Sequence, residues 1–246
     1  MKDNPSVLSN RCESIRNLIL ELASGSPYSA AHYGGALSMV EACLVMFQHY
    51  LRFEDVSLKD ANRDRFVLSK GHACLALYAT LIELGLVDKS HIQFEQNGSA
   101  FAGHPVIDRE YGIDFSTGSL GNGFAYALGS ALACPERRVA CVLGDGELGE
   151  GIVSEVARVA GKLAQSNLFV VVDENELQQT GFCDDINGAH NFMAVFQAFG
   201  WVAQRVDGHS LHALVSAVEL LSKNTNAPKV IFARTIKGKG VAGFEG

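Results

Sequence analysis

No stretch of the 246 residues carries the basic run that a nucleic-acid backbone would need, and a formal net charge of −7 argues against such a partner. No segment is apolar for long enough to cross a bilayer, and the opening MKDNPSVLSN lacks the apolar stretch of a secretory signal. The expectation is therefore no membrane association and a cytoplasmic location. The six cysteines, at 12, 43, 74, 134, 141 and 183, lie scattered without CxxC spacing, which leaves buried, reduced thiols as their reading. Internal repeats, low-complexity tracts and linkers are also absent. What remains, at 48% hydrophobic and 19% charged residues, suits one globular domain over residues 1–246.

The most informative stretch runs from Arg137 to Gly181. Two β-branched runs, 139–143 and 168–173, flank a helical pattern in which Val153, Val156, Ala157, Ala160, Leu163 and Ala164 share one face. Strand, helix and strand at this spacing make a βαβ unit of a parallel sheet. Gly144-Asp145-Gly146 closes the first strand, and Asp173-Glu174-Asn175 closes the second. Open parallel sheets bind ligands beyond the carboxyl ends of their strands, so Asp145 and Asn175 are placed to converge. A carboxylate, an amide oxygen and a nearby backbone carbonyl form a half-shell of hard donors. That shell suits Mg²⁺ or Ca²⁺, with positions left for water or phosphate oxygens. The glycines beside Asp145 let the backbone approach a bulky anion. Gly, Asp and Asn are favoured in strand-ending turns anyway; the pairing at matched ends of neighbouring strands is what points to a metal.

Along the rest of the chain, helices are expected over 9–23, 37–51, 73–84, 193–199 and 211–221, and strands over 66–68, 201–206 and 229–235. A small-residue loop is expected over 29–35, and a long loop over 88–112. Residues 116–123, STGSLGNG, form a glycine-rich turn into an apolar helix ending near Ala133, where free N–H groups would suit an anion or a polar ring. The sum is a doubly wound α/β fold, a parallel sheet with helices on both faces.

GDGELGEG and DENELQQTG resemble the thiamine diphosphate motif of transketolases. DRFVLSKGH, GHP, STGSLGNG and ARTIKGKGVAGFEG are similar to stretches of the same family, so the resemblance covers nearly the whole chain. It implies the thiamine diphosphate-binding fold of the diphosphate-binding domain, with thiamine diphosphate and Mg²⁺ as cofactors (Ca²⁺ a possible substitute). Asp145, Asn175 and the Leu177 carbonyl would hold the metal, and Gly144, Asp145, Gly146 and Glu147 the diphosphate end. Gly118, Ser119 and Leu120 would face the aminopyrimidine side. His72 would touch the diphosphate, and His104 would face the substrate near the thiazolium carbon. His32 matches a further family histidine, although Ala31 and Tyr33 replace that histidine's usual neighbours. Imidazoles suit such work because both protonation states are accessible near neutral pH. Glu150 and Glu155 resemble acidic residues near the family's dimer interface. His49, His91, His190, His209 and His212 are read as structural or surface residues.

The implied reaction is transfer of a two-carbon ketol unit from a ketose to an aldehyde. The family's activating glutamate and sugar-phosphate arginines lie in a later, pyrimidine-binding domain, whereas this sequence ends at Gly246, just short of the family's Trp-His-Gly. The expectation is the N-terminal subunit of a split transketolase-like enzyme. It would work with a C-terminal subunit carrying the pyrimidine-binding domain, as α2β2, on a substrate unlike the usual pentose and hexose phosphates. The alternatives are a thiamine-dependent carboligase using a 2-oxo acid donor, and a non-catalytic partner subunit.

Overall fold

Residues 139–144 and 168–174 read VACVLG and LFVVVDE, apolar at nearly every position, as strands covered on both faces must be. The computed structural model, which describes residues 3–27, 31–53, 57–188 and 190–246, places them at the centre of a sheet. The strands are β1 (Arg65–Leu68), β2 (Val139–Gly144), β3 (Leu168–Glu174), β4 (Val202–Asp207) and β5 (Lys229–Arg234). They lie in the order β1-β2-β3-β5-β4, and every pairing is parallel. In register, Gly144 sits beside Asp173 and Asp173 beside Ala233, so the chain leaves β2, β3 and β5 at one level.

The helices are α1 (Pro5–Ser24), α2 (Tyr33–Leu37), α3 (Val40–Val45), α4 (Cys74–Glu83), α5 (Asn122–Ala133), α6 (Gly151–Lys162), α7 (Cys183–Asn187), α8 (Phe192–Ala198) and α9 (Leu211–Leu221). Alternate strand residues face opposite ways. Ala140, Val142, Phe169, Val171 and Ile231 point to a core shared with α1, α3, α4 and α9. Val139, Cys141, Leu143, Val170, Val172 and Phe232 point to a second core under α5, α6 and α8. Helices on both faces of a parallel sheet are the doubly wound arrangement expected. All six cysteines are free, four of them buried and Cys134 and Cys183 half-buried.

Most expected elements match to within a few residues. Helix α1 starts earlier than expected because Asn4 accepts the Val7 N–H at 3.0 Å and caps it. The helix expected over 37–51 is the main correction. It is broken at Ser38 and Met39, and its last stretch, Met46–Tyr50, is a π-helical turn. The break has a cause: the Ser38 hydroxyl donates to the Asp173 carboxylate at 2.7 Å, and Met39 leaves helical geometry at φ −105°, ψ 4°. Tyr33, Gly34 and Gly35, expected in a loop, open α2 instead; Ser29 and Ala30 of that loop lie outside the described residues. Helix α7 has no counterpart in the sequence pattern, since CDDIN is too short to show a period.

Candidate active site

The chain ends of four strands and two preceding loops enclose a cleft of about 360 Å³. After β1 come Lys70 and His72; after β2, the turn from Gly144 to Glu147; after β3, Asn175, Leu177, Gln178 and Gln179; after β5, Lys237. His32, Gly34 and Gly35 enter from the start of α2, and His104, Gly118 and Leu120 from the long loops. Of the residues expected at the site, eleven line this cleft: His32, His72, His104, Gly118, Leu120, Gly144, Asp145, Gly146, Glu147, Asn175 and Leu177. Ser119 is not among them. It is exposed, and its carbonyl accepts the Asn122 N–H at 3.3 Å.

Asp145 sits at the head of the β2 turn. One carboxylate oxygen accepts the Gly146 N–H at 2.8 Å and the other the Glu176 N–H. Glu176 takes a left-handed φ of 65°, which folds residues 175–177 back over the strand end. Within that fold Asn175 Oδ1 accepts the Leu177 N–H at 3.1 Å, and Asn175 Nδ2 donates to Asp173 at 2.8 Å. Burial, reinforced by the nearby Asp173 charge, raises the Asp145 pKa to about 6. Lys70, the buried cation closest to hand, is spent on Asp173. Asp145 is thus a carboxylate short of positive charge, and a divalent cation would supply it. Among the described residues no three His, Cys, Asp or Glu side chains form a metal-holding group. The side-chain donors here, one carboxylate and one amide oxygen, fit Mg²⁺ or Ca²⁺ rather than a softer metal.

Two further carboxylates are buried at the strand ends. Asp173 is fully buried at the end of β3 and takes donors from Ser38, Lys70, Asn175 and Thr235. Burial alone would raise its pKa, but Lys70 and the hydroxyl donors hold it below the ordinary carboxylate range. Glu147 is 2% exposed and accepts from the Ser69 hydroxyl, the Gly121 N–H at 2.6 Å and the Gly144 N–H at 3.0 Å. The glycine-rich turn before α5 therefore gives its Gly121 N–H to a protein carboxylate, not to an outside anion. Burial raises the Glu147 pKa despite these donors.

Three imidazoles form one wall. The His32 ring centroid lies 5.8 Å from that of His72 and 5.9 Å from that of His104. Gly35 admits the His72 ring, because a Cβ there would stand 2.9 Å from His72 Cδ2. Gly118, at φ +138°, passes so close to His104 that a Cβ would lie 3.0 Å from its Cδ2. Burial lowers the pKa of both rings. For His72, with the Lys70 charge beside it, the value falls to about 3; for His104 the His32 ring adds to the effect. The His72 resonances should stay those of neutral imidazole from pH 8 to 5 in an NMR titration of the free chain. The sign for stability follows. Below pH 6.5 the unfolded chain takes up a proton that folded His72 refuses until about pH 3, so acidification through that window weakens the fold. A normal titration midpoint for His72 would contradict its packing.

Lys70, Gln178, Gln179 and Lys237 were not singled out from the sequence. Lys70 stands inside the SKGH motif, two residues before His72. Lys237 reaches the cleft from the TIKGKG segment and donates to the Gln178 carbonyl at 3.1 Å. Glu150 and Glu155 are exposed at the start of α6. Among the histidines set aside, His209 is structural: its Nε2 accepts the Ile236 N–H at 2.8 Å while Nδ1 faces Glu41 at 3.3 Å. Among the described residues no helix is long and apolar enough to cross a membrane.

An all-parallel sheet with a carboxylate, an amide and three imidazoles gathered at its strand ends defines a cofactor-binding α/β enzyme domain. Residues 9–246 match the family model described as transketolase, thiamine diphosphate binding domain, and the chain belongs to that family. It is 34% identical over 251 residues to the 6-deoxy-6-sulfo-D-fructose transketolase subunit SqwG of Clostridium sp. (strain MSTE9), covering 100% of this chain and 90% of that one. It is 32% identical over 244 residues to an apulose-4-phosphate transketolase subunit of Actinobacillus succinogenes, covering 97% and 88%. The crystal structure of transketolase from Campylobacter jejuni superposes with a TM-score of 0.88 at 28% identity, over 99% of this chain. The chain spans only 40% of that transketolase's length.

Proposed function

We propose that the chain, as a single domain, is the thiamine diphosphate- and Mg²⁺-binding N-terminal subunit of a split transketolase-like enzyme, transferring a two-carbon ketol unit from a ketose to an aldehyde. The observation that carries this is the convergence of Asp145, Asn175 and Leu177 with three imidazoles in one cleft. Asp145, Asn175 Oδ1 and the Leu177 carbonyl would hold Mg²⁺, or Ca²⁺ in its place, and the Gly144–Glu147 turn and His72 the diphosphate. Gly118 and Leu120 would border the aminopyrimidine, with Ser119 beside them. When bound, the cofactor supplies a nucleophilic thiazolium carbon able to carry the two-carbon fragment. His104 and His32 would take and return substrate hydroxyl protons.

The near-full coverage of relatives named as subunits supports a partner subunit; in this proposal that partner is C-terminal, carries the pyrimidine-binding domain and joins the chain as α2β2. The substrates in those two names, 6-deoxy-6-sulfo-D-fructose and apulose 4-phosphate, support a donor outside ordinary pentose and hexose phosphates. Free, mostly buried thiols fit a cytoplasmic location. The test is turnover with thiamine diphosphate and Mg²⁺ across phosphorylated, unphosphorylated and sulfonated ketoses and pyruvate, with and without the partner. The lone chain should be inactive, and the pair should act on a ketose. Robust turnover by the lone chain would overturn the split-enzyme reading, and turnover of pyruvate alone would favour the carboligase.

A further inference from the structure

A metal-binding asparagine has an ambiguity that an aspartate lacks: only one end of its amide can be a ligand. If the NH₂ group faces the cation, the residue repels it. Something must therefore choose the orientation of Asn175, and the chain contains a group that does so.

Asn175 Nδ2 lies 2.8 Å from Asp173 Oδ2. Asp173 is wholly buried, paired with the buried Lys70 ammonium, and its oxygens also take the hydroxyls of Ser38 and Thr235. An ionised carboxylate accepts and never donates. The group it faces on Asn175 must therefore be the NH₂, and the amide oxygen is turned away. That oxygen takes the Leu177 N–H at 3.1 Å, on the side where residues 175–177 fold over the strand end beside Asp145.

We infer that Asp173 is a positioning residue, which locks the Asn175 amide with its oxygen toward the cation site, and that Lys70, Ser38 and Thr235 hold Asp173 in place for it. The role toward the cation rests on the reading of Asn175 as a metal ligand; the orientation of the amide does not. The donors come from the end of α2, the turn after β1 and the segment after β5, so one carboxylate aligns the metal-side amide with most of the cleft wall. Asp173 touches neither cofactor nor substrate in this account and acts only through Asn175.

The direct measurement is made on the wild-type chain. In the ¹⁵N-labelled chain, the Asn175 side-chain NH₂ signal, assigned by its loss in Asn175→Asp, should exchange with water at least tenfold more slowly than the amide of the exposed Asn226. In Asp173→Asn that protection should vanish, and calorimetric affinity for thiamine diphosphate with Mg²⁺, measured on the chain reconstituted with its partner, should fall at least tenfold. Adding Asn175→Asp to Asp173→Asn should recover most of that affinity without recovering thermal stability. A carboxylate offers an oxygen whichever way it turns, whereas a merely structural role for Asp173 would leave affinity tracking stability. Free exchange of the wild-type amide, or unchanged affinity in Asp173→Asn, would overturn the inference. No binding by the wild-type pair would overturn the metal reading, and with it the role toward the cation. The exchange measurement would still test the lock on the amide.

Discussion

Asp145→Ala should abolish Mg²⁺-dependent binding of thiamine diphosphate while leaving the fold intact. The side chain follows β2 directly; its carboxylate accepts the N–H groups of Gly146 and Glu176 and pairs with the Cys183 thiol. Gly146 and Cys183 lie in helical turns and Glu176 in a loop, none of them in a strand, so removing the carboxylate costs the sheet little. The cation would lose the only charged member of its donor set. Losing a hydrogen bond to a charged group costs about 1.5–3 kcal/mol, roughly one to two decades of affinity. A charged metal ligand should exceed that, whereas His72→Ala should stay within it. Calorimetry with thiamine diphosphate and Mg²⁺, alongside a thermal melt, gives both readouts. Wild-type affinity in Asp145→Ala would remove the central assignment.

Lys70→Met is expected to carry the largest stability cost near the cleft. Lys70 is 1% exposed, and its ammonium is the counter-charge of the fully buried Asp173. Breaking a buried pair by removing one partner leaves a stranded charge and costs about 3–5 kcal/mol. In a domain of 150–250 residues each kcal/mol shifts Tm by about 2–4 °C. A melt lower by about 6–20 °C should follow, with methionine filling much of the lysine's volume so that the loss reads out charge more than packing. A shift of under about 3 °C would mean that Asp173 finds another partner or gives up its charge at no cost.

These two residues also mark the limit of what the sequence shows. The strands were legible because a strand buried on both faces is apolar throughout, as VACVLG and LFVVV are. Asp145 and Asn175 were legible because each ends such a strand. Lys70 and Asp173 stand beside motif residues and read as ordinary strand-end charges. Their pairing joins positions 103 apart, which no local pattern reports. The break at Ser38 escaped for the same reason: the apolar period runs through it, and only a partner on β3 explains why the helix stops. Glu147 lines the cleft as expected, and both its oxygens are also held by Ser69, Gly121 and Gly144. Composition cannot tell a carboxylate that meets a ligand from one that braces the turn beneath it.

The strand order β1-β2-β3-β5-β4 has a consequence for synthesis. The last of these five strands in chain order, β5, is an interior one, lying between β3 and β4. Until residues 229–234 emerge, β3 has an open edge of unpaired backbone groups, and β4 has no neighbour in the sheet. Such an edge is a template for wrong pairing with another chain. The nascent chain therefore passes through an interval in which three strands can pair but the fourth must wait. Protection by chaperones should matter most in that interval, and substitutions that delay β5 insertion should show as aggregation before they show as lost activity.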